Sequence, residues 1–128
     1  MSDASDLTNG PPRVTGHIAA VISQLKFSDL PDDVVSICKH TFLDWLAVTL
    51  AGESEPLAQM IGADVLDQGA AERVTMIGRD ARTSPSLAAL FNGAVAHALD
   101  YDDTNFKAFG HVSAALIPAL LALAEDLD

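Results

Sequence analysis

Apolar side chains recur along the chain at spacings of three and four residues, which is the period of a helix that buries one face. This pattern predicts an all-α protein of about five helices. The first helix has Thr15 as its N-cap, and the second opens after Pro31 and ends near Gly52. Pro56 and Pro85 begin the third and fourth helices, because the first turn of a helix tolerates proline.

The fourth and fifth predicted helices each contain an unusual residue. The fourth covers residues 87 to about 100 and is rich in alanine, with Asn92 and Gly93 at its middle. A glycine there costs about 1 kcal/mol relative to alanine, so either the backbone bends or another group lies against it. The fifth runs from about Val112 onward and is apolar on several sides, which predicts packing against partners that the chain does not supply. Pro118 inside it is expected to produce a kink.

Two other segments complete the predicted organisation. Residues 1–13 are polar and are predicted to be a disordered tail, which leaves residues 14–128 as the helical domain. Residues 73–78 form a short β-branched run closed by glycine, which fits either a strand or an extended connection.

Composition narrows the class of protein. The chain has 128 residues, of which 49% are hydrophobic, and this is enough to bury a core. Its 18 Asp and Glu against 7 Lys and Arg give a formal charge of −11, which argues against nucleic acid and anionic membranes as partners. The single cysteine, Cys38, excludes an internal disulfide and is expected to be a packed, inert thiol. The acidic N-terminus is not expected to be a secretory signal, and the apolar run 114–124 is shorter than a membrane-spanning helix, so we expect a cytoplasmic protein.

The side chains that could do chemistry concentrate in residues 92–111, which hold three Asp, two His, and one each of Tyr, Thr and Lys. If the helix persists, His97 and Asp100 share one face, as do Asp100 and Thr104. His111 can return across the loop to meet them. Carboxylates and imidazoles held together in a cleft are suited to proton transfer.

Two other interpretations of this segment stay open. Asp102 and Asp103 lie between two helices, where aspartate commonly serves as a cap or a turn residue. Two imidazoles and two carboxylates would also suit a zinc, iron or manganese ion. The four residues that offer them are His97, Asp100, Asp103 and His111.

A series of short motifs follows one another along the chain. They are Leu30-Pro31, Phe42-Leu43-Asp44, Ala51-Gly52, Ile77-Gly78, Ser84-Pro85, Ala88-Ala89-Leu90-Phe91-Asn92-Gly93, Ala96-His97-Ala98-Leu99-Asp100-Tyr101-Asp102-Asp103-Thr104, His111-Val112-Ser113, Pro118-Ala119 and Leu121-Ala122-Leu123-Ala124-Glu125. Through these motifs the sequence over residues 14–128 resembles the N-terminal part of the MmgE/PrpD family. That family includes 2-methylcitrate dehydratases, cis-aconitate decarboxylases and iminodisuccinate epimerases.

The resemblance implies a fold, a chemistry and a set of site residues. Family members join a large all-helical domain to a smaller α+β lid, pair as homodimers, and act on small di- and tricarboxylates without a metal or an organic cofactor. Their active-site Asp, Thr and His fall on Asp100, Thr104 and His111. Asp100 and His111 would then be catalytic, in proton transfer or substrate orientation, and Thr104 would hydrogen-bond the substrate. His97 and Lys107 would add positive charge for substrate carboxylates.

The resemblance also implies that more than this chain takes part in the reaction. Family members are several times longer and draw further lysines and histidines from their later sequence. We therefore expect the N-terminal portion of a cofactor-free lyase, inactive alone, that forms a homodimer or docks with the remainder of the enzyme. The alternative is a non-catalytic helical interaction module, or a truncated relic that docks onto a partner.

Overall fold

The computed structural model describes residues 14–107 and 109–128, so the predicted tail at residues 1–13 lies outside the described residues. The described part is mostly helical, with five α-helices and one two-stranded hairpin, which confirms the predicted all-α class. The chain divides into two compact units between Val35 and Ser36.

The first unit holds α1 (Val14–Gln24), a 3-10 turn (Phe27–Asp29) and the first residues of α2 (Asp32–Gly52). The Asp29 side chain accepts a hydrogen bond of 3.0 Å from the backbone N–H of Lys26, which closes the turn that follows α1. Ile18, Val21 and Ile22 of α1 are exposed, and so is Leu25, which follows the helix directly.

The second unit begins within α2, and the buried part of that helix lies at its C-terminal end. Trp45, Val48, Thr49 and Gly52 are buried. Cys38 lies in the earlier part of the helix and is exposed, so the prediction of a packed thiol was wrong. The apolar stripe of α2 begins before Trp45, but the residues there are mostly exposed, because only the C-terminal end of the helix is buried. By length and composition alone α2 could cross a membrane, but the core helix of a soluble protein passes the same test.

Three further helices follow: α3 (Pro56–Asp67), α4 (Pro85–Ala96) and α5 (Val112–Leu127). The predicted starts of α3 and α4 at proline are confirmed. α4 lies between the other two and packs against both. One cluster of the core joins α3 and α4 to the residue after the first strand, and its members are Ala58, Val65, Met76, Phe91 and Val95.

Gly93 shows why α4 and α5 can pack so closely. A Cβ atom at Gly93 would lie 2.8 Å from the carbonyl oxygen of Ala114 and 3.2 Å from Cγ of Pro118. Of the two explanations offered by the sequence, a close neighbour is therefore confirmed. Gly52 plays the same role between α2 and α4, where a Cβ would meet the carbonyl of Val95.

A hairpin of β1 (Val74–Thr75) and β2 (Arg82–Thr83) packs against α4 and α5. The strands are antiparallel, with Val74 opposite Thr83, so a strand rather than a plain connection occupies part of residues 73–78. The buried side chain of Asn92 on α4 fixes β1 by two hydrogen bonds. It accepts from the N–H of Ile77 at 2.8 Å and donates to the carbonyl of Thr75 at 3.0 Å.

The turn after the hairpin's first strand is held by Arg79. Its Nε lies 3.0 Å from Oε1 of Glu53, and its Nη2 donates to the carbonyl of Ala58 at 2.8 Å. The guanidinium also lies over the ring of Phe91, 5.0 Å from the centroid. This one side chain therefore ties the hairpin to both α3 and α4.

α5 buries one side and leaves the rest exposed. Its buried residues are Ser113, Pro118 and Ala122. Four leucines of the same helix keep more than half of their surface exposed: Leu116, Leu120, Leu123 and Leu127. Within the described residues, α5 therefore presents apolar surface that remains uncovered, as its sequence predicts.

Candidate active site

The site is built where α4 ends and α5 begins. α4 ends at Ala96, with His97 as its C-cap, and not near residue 100 as the periodicity predicted. The backbone N–H of Asp100 then bonds the carbonyl of His97 at 3.1 Å, and Asp100 adopts a positive φ of 54°. Aspartate is one of the few residues that visit this left-handed conformation readily, and here it turns the chain away after the short turn at residues 97–99. The i, i+4 relationship expected between Asp100 and Thr104 is therefore lost.

The loop that follows doubles back toward α4. Asn105 and Gly110 form an antiparallel bridge, with hydrogen bonds of 2.9 Å and 3.4 Å between their backbones. Phe109, beside Gly110, also has a positive φ, of 52°. The bridge returns the chain to His111, which is the N-cap residue of α5.

Asp102 and Asp103 are neighbours with different tasks. Oδ1 of Asp103 accepts a hydrogen bond of 3.3 Å from the backbone N–H of Ser113, in the first turn of α5. This is the capping role that the sequence suggested for both aspartates. Asp102 is only 4% exposed and turns toward the two histidines.

The two imidazoles meet at a single oxygen of Asp102. Nδ1 of His97 lies 2.9 Å from Oδ1 of Asp102, and Nδ1 of His111 lies 3.1 Å from the same atom. Nδ1 of His111 is also 3.2 Å from the backbone carbonyl oxygen of Asp102. The rings are 4.7 Å apart between centroids and inclined at 57°.

Asp100 faces the other nitrogen of each ring. Its Oδ1 lies 3.6 Å from Nε2 of His111 and 4.0 Å from Nε2 of His97, and its side chain is 80% exposed. The result is a layered arrangement in which a buried carboxylate holds two imidazoles and an exposed carboxylate lies at their outer nitrogens. Such an arrangement can take up, hold and release a proton close to solvent.

The structure brings three of the five predicted site residues together, namely His97, Asp100 and His111. Thr104 and Lys107 lie exposed in the loop, and in the described part of the chain their side chains make no hydrogen bond or ion pair with this cluster. Asp102 is the residue that sequence reasoning assigned to a turn. Their adjacency gave the sequence no signal that Asp102, and not Asp103, contacts the imidazoles.

The same cluster is the group of residues that could bind a metal ion. His97, Asp100, Asp102 and His111 each offer one ligand atom within 4.8 Å of the others. The predicted set named Asp103 in place of Asp102, and this was wrong, because the Asp103 carboxylate bonds the backbone of α5. Two imidazoles and two carboxylates remain compatible with zinc, iron or manganese.

The sequence matches one protein family and several known proteins. Residues 16–128 match the MmgE/PrpD N-terminal domain. The cis-aconitate decarboxylase-like protein oryM of Aspergillus oryzae is 34% identical over 112 residues, which is 88% of this chain and 23% of that protein. The mouse cis-aconitate decarboxylase is 34% identical over 115 residues, covering 89% of this chain and 23% of the relative. The Aspergillus terreus cis-aconitate decarboxylase is 28% identical over 127 residues, covering 99% and 26%. The chain thus spans about a quarter of the length of these relatives.

Proposed function

The chain belongs to the MmgE/PrpD family, and we propose that it supplies the N-terminal part of a cofactor-free lyase that acts on a small di- or tricarboxylate in the cytoplasm. The names of the relatives favour decarboxylation of an unsaturated acid such as cis-aconitate. Dehydration of a 2-methylcitrate-like hydroxy acid is the other reaction of this class that the same residues could serve.

The observation that carries this proposal is the pair of imidazoles on one buried carboxylate, with Asp100 at their outer nitrogens. Loss of carbon dioxide breaks a carbon–carbon bond and leaves its electron pair on the substrate. A protonated Nε2 of His111 or His97 can deliver the proton that this carbon then takes up. In a dehydration, the same nitrogens or Asp100 remove the proton, and a protonated imidazole assists the departing hydroxyl.

The remaining predicted residues would act on the substrate's carboxylates. The Thr104 hydroxyl would donate a hydrogen bond, and Lys107 would add positive charge from the exposed loop. Both lie in the segment between Asp100 and His111, adjacent in sequence to the imidazole cluster.

The positive charge available here is small for such a substrate. Near the site the chain offers Lys107 and the two imidazoles, whereas its formal charge is −11. Burying several carboxylates without cations is costly. We therefore propose that further cationic groups come from outside this chain, either from a second copy in a homodimer or from the remainder of the enzyme.

Binding can be tested without turnover. Tricarballylate, a saturated tricarboxylate, is added to the isotopically labelled chain while the four histidine ring signals are followed by NMR. We expect saturable shifts for His97 and His111 and no saturable shift for His17 or His40, which lie exposed on α1 and α2. The variant His111→Gln should weaken binding at least tenfold, and His40→Gln should leave it unchanged.

Two results would count against the proposal. A folded chain whose His97 and His111 signals do not respond to tricarballylate would contradict the carboxylate site. Release of carbon dioxide from cis-aconitate by the purified chain in monomeric form would contradict the claim that further groups are required.

Two alternatives each have one observation in their favour. The uncovered leucines of α5 favour a non-catalytic interaction module. The four convergent ligand atoms favour a metal-dependent helical hydrolase. Metal analysis of the purified chain separates the second from the lyase, because one equivalent of tightly bound zinc or iron would support the hydrolase.

A further inference from the structure

We propose that Asp102 is the positioning residue of this site, and that it holds both imidazoles in the tautomer with hydrogen on Nδ1. The functional meaning of this inference rests on the proposed function, because the Nδ1–H tautomer leaves both Nε2 atoms available for proton transfer. Its geometry stands independently of any substrate.

The first step is the chemistry of the contacts. A carboxylate oxygen at neutral pH only accepts hydrogen bonds, so Nδ1 of His97, which bonds Oδ1 at 2.9 Å, must carry the hydrogen, and Nδ1 of His111 lies 3.1 Å from the same oxygen. Nδ1 of His111 faces a second acceptor, the backbone carbonyl of Asp102 at 3.2 Å. The protonated nitrogen of each ring is therefore Nδ1, and the tautomer of a histidine is set by such a bond.

The second step is the burial of the carboxylate. The Asp102 side chain is 1% exposed, and its Oδ2 is buried without a hydrogen-bond partner in the described part of the chain. A buried carboxylate is costly unless donors satisfy it. The contacts described for its Oδ1 are the hydrogen bond from Nδ1 of His97 and the 3.1 Å approach of Nδ1 of His111, so turning either ring away would leave the charge less well satisfied.

The third step is the position of the other nitrogens. With Nδ1 of both rings directed inward, Nε2 of His97 and Nε2 of His111 both face Asp100, which is exposed. One buried carboxylate thus orients two rings toward one side. Asp102 acts through the histidines and has no need to touch substrate.

Asp103 supplies a matched control. It is adjacent in sequence and also carries a carboxylate, but it bonds the backbone N–H of Ser113 and neither imidazole. Asparagine caps helices about as well as aspartate, so Asp103→Asn is expected to fold.

The test is the tautomer itself, read from the nitrogen NMR signals of the histidine rings at a pH where they are neutral. In the unaltered chain we expect Nδ1–H for both His97 and His111. In Asp102→Ala, His97 loses its carboxylate partner and should change to Nε2–H. His111 should retain a larger share of Nδ1–H, because the backbone carbonyl of residue 102 still accepts from it. Asp103→Asn should leave both rings unchanged.

The outcomes separate this inference from the proposed function. Nε2–H on both rings of the unaltered chain would overturn the role of Asp102, even if tricarballylate binds. Nδ1–H on both rings without tricarballylate binding would support the role of Asp102 and count against the lyase. If Asp102→Ala does not fold, the tautomers of the unaltered chain test the role of Asp102. Asp102→Asn, which keeps the side-chain shape, then serves as the second variant. A His97 that keeps Nδ1–H unchanged in a folded Asp102→Ala chain would also overturn the inference.

Discussion

Gly93 and Ala114 bring the backbones of α4 and α5 almost into contact, since a Cβ on Gly93 would lie 2.8 Å from the Ala114 carbonyl oxygen. Gly93 lies one turn before His97, and Ala114 lies one turn after the N-cap His111. The spacing of the two helices is therefore linked to the spacing of the two imidazoles.

Gly93→Ala is expected to destabilise the chain. Alanine gains about 1 kcal/mol of helix propensity over glycine. The contact is with backbone, which cannot turn aside, and overpacking of this kind costs about 1–3 kcal/mol. Chemical unfolding followed by circular dichroism measures the difference.

Gly16→Ala is the matched control for this prediction. Gly16 lies in α1, and a Cβ there would meet nothing within 4 Å. The same substitution should therefore raise stability by up to about 1 kcal/mol. Equal gains at both positions would contradict the close approach of α4 and α5.

Asn92→Ala is expected to lower the free energy of unfolding by about 2 kcal/mol or more. The substitution leaves the N–H of Ile77 and the carbonyl of Thr75 without their side-chain partner, and each unpaired buried group costs about 1–3 kcal/mol. Leu90→Ala removes an exposed side chain from the same helix and should change stability by only about 0.5 kcal/mol. A similar small effect for both variants would show that Asn92 does not hold the hairpin.

The local signals of the sequence were sufficient for much of the helical framework. Pro56 and Pro85 begin helices, and Gly52 ends one, because these effects depend on the backbone within a single turn. The end of α4 was wrong by several residues. Its apolar pattern runs on past Ala96, whereas the positive φ of Asp100 and the contact of His111 with Asp102 belong to an irregular loop that hydrophobic periodicity does not describe.

The candidate site was also predictable only in part from the sequence. The grouping of His97, Asp100 and His111 follows from their density between two apolar helices. Spacing gave no means of distinguishing Asp102 from Asp103, because only the packing of the loop decides which of two adjacent carboxylates turns inward.

The free energy of unfolding should decrease at acidic pH, in part because Glu125 becomes protonated. The hydrogen bond from the Thr75 hydroxyl is the main cause that holds the pKa of Glu125 below its usual 4.5, and the Thr75 amide and the Arg82 guanidinium act in the same direction. Because the pKa is lower in the folded chain, this stabilisation is present above pH 4.5 and is lost as the pH falls through the folded value. Unfolding measured across this range should show a drop toward acid that is smaller in Glu125→Gln.

Thr75→Val tests the stated cause of that drop. It removes the hydroxyl donor at 2.6 Å from Oε1 while leaving the backbone N–H donor in place. The acid dependence should fall between those of the unaltered chain and Glu125→Gln. If both variants lose stability toward acidic pH to the same extent as the unaltered chain, Glu125 is not the cause of that loss.

The uncovered side of α5 is expected to drive self-association of the isolated chain. Leu116 and Leu120 are 55% and 64% exposed, and contiguous apolar surface of this kind favours contact between molecules. The double substitution Leu116→Gln with Leu120→Gln should lower the mass seen by sedimentation velocity at high concentration. Ala119→Gln, on the same helix, should have little effect. A chain that is monomeric at every concentration would contradict this expectation.

The hairpin holds α5 at the end opposite to the site. Glu125 receives hydrogen bonds from Thr75, and Asp126 lies 2.9 Å from a guanidinium nitrogen of Arg73. His111 at the start of α5 is about 21 Å away along the helix axis. A helix held at both ends can neither rotate about its axis nor slide along it. The orientation of His111 toward Asp102 therefore depends partly on contacts at the far end of α5, away from the imidazoles.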